Sequence, residues 1–291
     1  MIRRAVSRCV LTCLAMACGA KSPTVVPQVD PTVEVTVALA EAVKLIRERR
    51  FDEAERRLAA SRGIAATDAN ELEKLDYYIA TTMVYRGELQ RAQQLIRAHA
   101  FSAASRGDVD SEAWMQSCSA WLRWAGHDHA GAIAENNRIA ELAASQRDPM
   151  DRRALVLSQL WDRAFFLIDQ AAAAPEGERA TALARAREAR DAYETLASDP
   201  ENRDEVQLLL AYFYWRTGDN AQAMRSLDGI PHEHVDDVRS LYVMTVVLET
   251  AGQREAAARA RSRLRSAVNL LAPLLERAVE RIVTAAPPTG G

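Results

Sequence analysis

The chain has 291 residues, 48% of them hydrophobic, and a formal net charge of −3 at pH 7, so it is long enough to bury a substantial core. A weakly acidic balance argues against a general nucleic-acid binder, because such proteins carry a basic patch or stripe. Three of the four cysteines lie within the first 18 residues, so the body, which keeps only Cys118, has no intrachain disulfide framework.

The first residues have the order of a secretory signal. Arg3, Arg4 and Arg8 form a cationic start, and the uncharged, mostly apolar residues 9–17 follow. This apolar run is far shorter than the roughly 20 residues that cross a bilayer as a helix. We therefore predict that residues 1–17 are a targeting segment that is removed on export.

At the end of this segment, the run Leu14-Ala15-Met16-Ala17-Cys18-Gly19 resembles the lipobox of bacterial lipoproteins. The match departs from the usual pattern, because Ala15 stands where the family has leucine and Leu14 lies one place further out. The resemblance implies that Cys18 is acylated, for example with palmitate, and becomes the first mature residue. Gly19 resembles the outer-membrane class, which faces the periplasm. The alternative is a plain signal peptide with incidental cysteines.

A linker is predicted between this cysteine and the body. Residues 18–33 contain three prolines among small and polar residues, the composition of an extended, semi-rigid tether. We expect a helical domain over residues 34–284 and a disordered tail over residues 285–291.

The body is predicted to be all-α. Between Glu34 and Ala272, glycine and proline are sparse while alanine, leucine, arginine and glutamate are abundant. Strong helix formers without breakers favour helices throughout. Several segments also look alike, because a small residue is followed twelve places later by a second one, with a turn between. These pairs are Ala42 and Ala54, Ala80 and Ala92, Ala211 and Ala223, Thr245 and Ala257, and a weaker copy from Ser119 to Gly131.

This repetition resembles the tetratricopeptide repeat (TPR), over roughly residues 34–260. The resemblance implies helix pairs stacked in a right-handed α-α superhelix. Its inter-helix turn favours a left-handed backbone, and glycines hold that place in four copies: Gly87, Gly126, Gly218 and Gly252. A longer pair, predicted over residues 151–173 and 179–197, does not match the motif, so its register is open.

A terminal helix is predicted after the last pair. Apolar residues recur there at helical spacing: Leu264, Val268, Leu271, Leu275, Val279 and Ile282. One apolar stripe on an otherwise charged helix suits a C-terminal capping helix, which covers the end of the core and faces water outside. Pro273 is expected to kink or restart this helix.

The resemblance also implies that the first helix of each pair lines a concave face. Residues of the types that dominate binding energy at interfaces fall on that face: Tyr77, Arg123, Tyr212, Trp215, Arg239 and Tyr242. A groove with aromatic anchors and few charges suits an extended peptide or a helix from another envelope protein. The alternative is that several of these aromatic residues belong to the core.

Two histidine triplets are the candidates for metal chemistry: His127-Asp128-His129 and His232-Glu233-His234. Both fall in predicted turns, and solvated turn residues are the favoured interpretation. Histidine and carboxylate are metal ligands, so the four histidines stay as a less favoured zinc-type site. The paired spacings that mark a zinc site or a metalloprotease helix are absent from the sequence.

No catalytic motif stands out elsewhere. Cys118 lies between Trp114 and Trp121, a setting that favours a small packed residue over a nucleophile. The body has no glycine-rich phosphate loop and no G-x-S-x-G elbow. The sequence therefore predicts a non-catalytic adaptor without a cofactor, lipid-anchored at the cell envelope and possessing no nucleic-acid partner. The alternative is a metal- or glycan-binding periplasmic lipoprotein, with Tyr212 and Trp215 as the glycan-stacking residues.

Overall fold

The computed structural model describes residues 30–66, 68–231 and 235–285. The predicted signal segment, the lipidation residue Cys18, and the histidines His232 and His234 lie outside the described residues. None of the helices described is long and apolar enough to cross a membrane.

The described residues form helices and no strand, so the all-α prediction is confirmed. A single turn of 3₁₀-helix, Pro200–Asn202, precedes α9. The helices are α1 (Pro31–Arg47), α2 (Phe51–Arg62), α3 (Ala69–Arg86), α4 (Leu89–Arg106), α5 (Val109–Ala125), α6 (His129–Ser145), α7 (Pro149–Ala173), α8 (Glu176–Leu196), α9 (Arg203–Arg216), α10 (Asn220–Leu227), α11 (Val238–Thr250), α12 (Arg254–Ser266) and α13 (Leu271–Ala285).

Consecutive helices pack as pairs, from α1 with α2 to α11 with α12, and odd-numbered helices pack on one another along the stack. Aspartate starts many of these helices, because its carboxylate accepts hydrogen bonds from the first free backbone N–H groups. The capping residues are Asp68, Asp108, Asp128, Asp148, Asp219 and Asp237. The chain thus has the stacked helix pairs of a TPR-like superhelix.

The turn inside five of the six pairs repeats at a fixed place, and the turn between α7 and α8 is the exception. Five residues before the small residue of the second helix, the backbone is left-handed, at Arg49 (φ 59°), Gly87 (88°), His127 (65°), Gly218 (89°) and Gly252 (74°). The prediction was wrong for Gly126, whose φ is −82°, because His127 takes the left-handed position there.

This turn position corrects the register of the weak copy by one residue. The small residues that face each other in α5 and α6 are Ala120 and Ala132, both at 0% exposure, in place of Ser119 and Gly131. Gly131 has another role, because a Cβ added there would lie 2.4 Å from Nη1 of Arg123. Like these two alanines, the corresponding residues of the four stronger copies are all fully buried.

The pair without a recognisable motif is α7 and α8, and it begins earlier than predicted. Asp148 caps α7 with Pro149 in its first turn, where proline is well tolerated. Pro175 precedes α8, which includes Gly177 in its first turn. The buried face of α7 carries Asp162 and Asp169, at 1% and 6% exposure. Two buried carboxylates explain why the apolar repeat pattern is not visible here.

Helix α13 packs on the last pair, α11 and α12, as a terminal helix is expected to do, but it also contacts α3 and α5. Helix α12 ends at Ser266 and a new helix, α13, begins at Leu271, so that Pro273 lies in the first turn of α13. Its buried side chains include Leu274, Leu275 and Val279, each at 1% exposure or less. Of the predicted stripe, Leu275 and Val279 are buried on α13 and Leu271 and Ile282 are partly buried, whereas Leu264 belongs to α12 and Val268 to the segment between the two helices.

Polar bonds fix the start of α13 to the second pair. The Tyr77 hydroxyl accepts a hydrogen bond from the Leu270 N–H at 3.1 Å, and the Tyr85 hydroxyl donates to the Ala267 carbonyl at 3.1 Å. One turn later, Nη2 of Arg277 donates to the carbonyls of Val84 and Tyr85 at 2.8 and 2.9 Å. These carbonyls belong to the last turn of α3, where the Val84 carbonyl also accepts a hydrogen bond from the Gly87 N–H at 2.9 Å.

Candidate functional site

The candidate site is the inner face, defined here as the surface formed by α3, α5, α7, α9 and α11. With the register of α5 moved by one residue, four side chains lie on this face: Trp114, Ser117, Trp121 and Trp124. Each follows directly after a residue that the sequence-based register had placed there, as Trp124 follows Arg123. Trp121 and Trp124 are buried, whereas Trp114 is 42% exposed. These residues could have been assigned to the inner face if His127, and not Gly126, had been taken as the left-handed residue of the turn.

Arg123 does not point to a partner surface. Its Nη1 pairs with Asp128, and its Nε donates to Oε1 of Glu135 at 3.0 Å. Both carboxylates belong to the second half of its own helix pair. The placement of Arg123 on the inner face is therefore wrong, because it followed from the one-residue error in register.

Tyr212 and Tyr242 belong to the aromatic core. Tyr212 is fully buried and Tyr242 is 2% exposed. The ring of Phe165 stacks on Tyr212 at a centroid distance of 4.3 Å and lies 5.9 Å from Tyr242. In this conformation neither tyrosine offers a surface to a peptide or a sugar, so the core interpretation applies to these two.

A buried polar network ties the inner helices together around Asp169, at 6% exposure. Its carboxylate accepts hydrogen bonds from Nε1 of Trp124 at 2.7 Å and from the Tyr212 hydroxyl, and it pairs with Nε of Arg216 at 2.8 Å. Burial, reinforced by the charge of Asp169, raises the pKa of Tyr212 well above its ordinary value. The tyrosine therefore stays protonated and donates to Asp169, and these contacts join α5, α7 and α9, with Nε of Arg216 held as an ion pair outside hydrogen-bond geometry.

Arg239 makes a second link, between α11 and α7. Its Nη1 donates to Oδ1 of Asp162 at 3.0 Å, and its guanidinium lies 4.7 Å from the centre of the Trp161 ring. Ser117 donates to the other oxygen of Asp162 at 3.0 Å. Arg239 thus satisfies a buried carboxylate, which is a structural task.

A group of aromatic residues that reaches the surface lies on α3 and α5, whereas the exposed Phe101 lies on α4. Trp114 packs against Tyr77 with ring centroids 4.6 Å apart, and Tyr77 makes an edge contact with Tyr78 at 5.4 Å. Tyr77 is 9% exposed, and its hydroxyl is bonded to the segment that leads into α13. We call Tyr77, Tyr78 and Trp114 the aromatic patch.

Trp215, the remaining predicted partner residue, is partly buried. Its Nε1 donates to Oγ1 of Thr250 at 3.0 Å, so one edge of the indole is fixed to α11. A partner-binding role for Trp215 stays a prediction.

The two described histidines of the candidate metal site lie beside each other, with ring centroids 6.4 Å apart for His127 and His129. His127 contacts Nη1 of Arg281 through its Nε2 at 2.6 Å. Burial lowers the pKa of His129 below its ordinary value. Among the residues that the structure describes, no three His, Cys, Asp or Glu side chains come close enough to hold a metal ion.

Cys118 is a packed core residue, as predicted, at 2% exposure. Burial raises the pKa of its thiol to about 12. Because the thiolate is the nucleophilic form, this thiol is inert at neutral pH.

Comparison with known proteins agrees with this architecture. Residues 176–245 match the tetratricopeptide-repeat family model. The chain carries TPR-like helical repeats. No curated protein matches the sequence.

Two solved structures are similar to this chain at low identity. The Pseudomonas aeruginosa protein pilF is 14% identical with a TM-score of 0.44, and the match covers 86% of this chain and 98% of that one. A tetratricopeptide repeat protein from Parabacteroides merdae is 12% identical with a TM-score of 0.35, covering 87% and 98%. Similarity at this level supports no statement about function.

Proposed function

We propose that this protein is a non-catalytic interaction scaffold, anchored by a lipid on Cys18 at the bacterial cell envelope, that holds another protein in envelope assembly or secretion. The observation that carries the proposal is the stack of TPR-like helix pairs with an aromatic patch on its inner face. Repeat stacks of this kind present extended binding surfaces. The Gly19 that follows the proposed lipidation residue favours the outer membrane, facing the periplasm.

Helix α13 indicates which part of the inner face is open to a partner. Leu270, Leu274, Leu275 and Val279 are each at 1% exposure or less, and burying such side chains contributes about 1.5–3 kcal/mol apiece. Their sum, on the order of 6–12 kcal/mol, is comparable with the whole stability of a typical domain. A partner that binds beside α13 leaves this burial intact, so we expect it to bind there.

The aromatic patch is the surface that meets this condition. Trp114 is 42% exposed and is supported from below by the Tyr77 ring. An exposed tryptophan on a rigid aromatic base is a typical anchor for a peptide or helix. We assign the partner-binding role to this patch. Of the partner-binding residues predicted from the sequence, the patch includes Tyr77.

Replacing Trp114 with alanine is expected to weaken partner retention by at least roughly tenfold. The measurement is affinity capture from detergent-solubilised envelope, with bound proteins identified and quantified by mass spectrometry. The matched control is Phe101→Ala, because Phe101 is a 79% exposed aromatic residue on α4, the outer helix of its pair.

A partner captured equally by wild type and by Trp114→Ala would overturn the assignment of the patch. If wild type, Trp114→Ala and Phe101→Ala all retain nothing above a tag-only column, the scaffold proposal itself fails. Circular dichroism of each variant confirms that a loss of binding is not a loss of fold.

The lipid anchor has an independent test. Wild type expressed in a bacterial host is expected to incorporate labelled palmitate and to fractionate with membranes, whereas Cys18→Ser should do neither. Cys13→Ser is the control, since it removes a neighbouring cysteine of the same segment and should leave both results unchanged. Equal labelling of wild type and Cys18→Ser would contradict the proposed anchor.

A further inference from the structure

A cavity with apolar walls and several polar and charged side chains opens where α13 passes the ends of the inner helices. Its volume is about 290 Å³, and its walls include His127, His129, Asp169, Arg216 and Arg281. A second cavity of about 570 Å³ shares both histidines and is also lined by Arg185, Asp128 and Glu178. The two together exceed the space needed for a small metabolite.

The positive charge of this cavity is only partly neutralised. Asp169 already accepts bonds from Trp124 and Tyr212 and pairs with Arg216. Arg281 has no carboxylate partner among the described residues, and its Nη1 instead contacts the ring of His127. A guanidinium lacking an anionic partner has its other N–H groups available, in the fork geometry that matches carboxylate or phosphate.

A second polar group in the same cavity is unsatisfied. The Nδ1 atom of His129 is shielded from solvent and has no hydrogen-bond partner. Buried polar atoms without partners are rare, and each calls for an explanation such as a ligand or ion.

The turn between α5 and α6 brings a polar side chain to this cavity; like the α1–α2 turn with Arg49, it has no glycine at the left-handed position. Gly87, Gly218 and Gly252 hold the left-handed position in three pairs, but His127 holds it here with φ 65°. Histidine at this backbone conformation is less favourable than glycine. Its ring contacts Arg281, so the less favourable residue brings a polar side chain to the cavity wall.

We propose that this cavity binds a small anion, through one carboxylate or phosphate group held between Arg281 and His129. The site is separate from the aromatic patch, so it neither requires nor tests the partner-binding proposal. The anion would accept hydrogen bonds from the free N–H groups of Arg281 and from Nδ1 of His129, with His127 orienting the guanidinium.

The test is titration of the full purified chain with inorganic phosphate and, separately, with succinate, each against sodium chloride at matched ionic strength. Calorimetry gives the affinity, and nitrogen NMR shifts of the imidazole rings report on the site. We expect saturable binding of one or both anions, with a change in the Nδ1 signal of His129. Binding of phosphate alone or of succinate alone identifies the group that the site prefers.

Arg281→Gln should weaken this binding by at least roughly tenfold, the effect of losing a charge-assisted hydrogen bond, and His129→Asn should also weaken it. Arg259→Gln is the matched control, because it removes the same charge from a 72% exposed side chain on α12, and it should bind as wild type does. Trp114→Ala should retain anion binding, which separates this site from the aromatic patch.

Three results would overturn the proposal: no saturable binding of either anion by wild type, unchanged binding in Arg281→Gln, or an equal loss in Arg259→Gln. A melting curve for each variant identifies any failure to fold. His129→Asn, which leaves the chemistry of α13 intact, keeps the test decisive if Arg281→Gln disturbs that helix.

Discussion

Replacing Asp169 by alanine is expected to lower the free energy of unfolding by about 3–5 kcal/mol, the usual result of breaking a buried ion pair from one side. The substitution leaves the Arg216 charge, the Tyr212 hydroxyl and the Trp124 indole without their shared acceptor. Two of these donors belong to α9 and the third to α5, while Asp169 belongs to α7, so we expect these three inner helices to loosen together. Urea unfolding followed by tryptophan fluorescence and circular dichroism measures the effect.

Two further variants control this result. Asp191→Ala removes a carboxylate that is 58% exposed and pairs with its neighbour Arg190, and it should change the stability by no more than about 1 kcal/mol. Asp169→Asn keeps an acceptor for Trp124 but loses the charge, so its effect should lie between the other two. If Asp169→Ala unfolds at the same urea concentration as Asp191→Ala, the network does not stabilise the fold.

Much of the helical framework could be predicted from the sequence, because its signals are local. Alanine-rich segments without glycine or proline form the helices, and a small residue followed twelve places later by alanine marks four pairs correctly. Ala80 and Ala92, for example, are both fully buried, because two helices cross closely there. Because only small residues fit where two helices cross closely, such crossings can be recognised from residue size in the sequence.

The candidate site was less predictable, because its determinants are not local. One error in register at the α5–α6 turn assigned Arg123 to the inner face and hid Trp114. The sequence offers a glycine at 126, whereas the left-handed residue is His127, and only the cap and contacts of Asp128 show why. Likewise, the buried carboxylates of α7 cannot be recognised until α9 and α11 supply Tyr212 and Arg239 as partners.

The position of α13 shows the same limit. An apolar stripe indicates that one face of a helix is buried, but it does not indicate against which helices that face packs. The sequence stripe was correctly predicted to cover the last pair, yet the contacts with α3 and α5 follow from the path of the whole stack. The contacts with α3 join residues separated by more than 180 positions, such as Val84 and Arg277.

Replacing Leu275 by alanine is therefore expected to cost about 2–5 kcal/mol, as for other fully buried leucines, and to act at a distance. Leu275 is at 0% exposure, whereas Val283, on the same helix, is 39% exposed. Val283→Ala is the matched control, and its effect should stay within about 0.5 kcal/mol. Chemical unfolding of the two variants gives the difference.

Hydrogen exchange then distinguishes a terminal cap from an element that joins distant pairs. A cap that protects only the last pair would, when weakened, raise amide exchange in α11 and α12 alone, as expected for a stack in which each repeat depends on its neighbours. Since α13 also bonds to the last turn of α3 through Arg277, we expect Leu275→Ala to raise exchange in α3 and α5 too. Exchange confined to the last pair would contradict a role for α13 in joining distant pairs. In that case a partner helix could displace α13 and bind to the inner face.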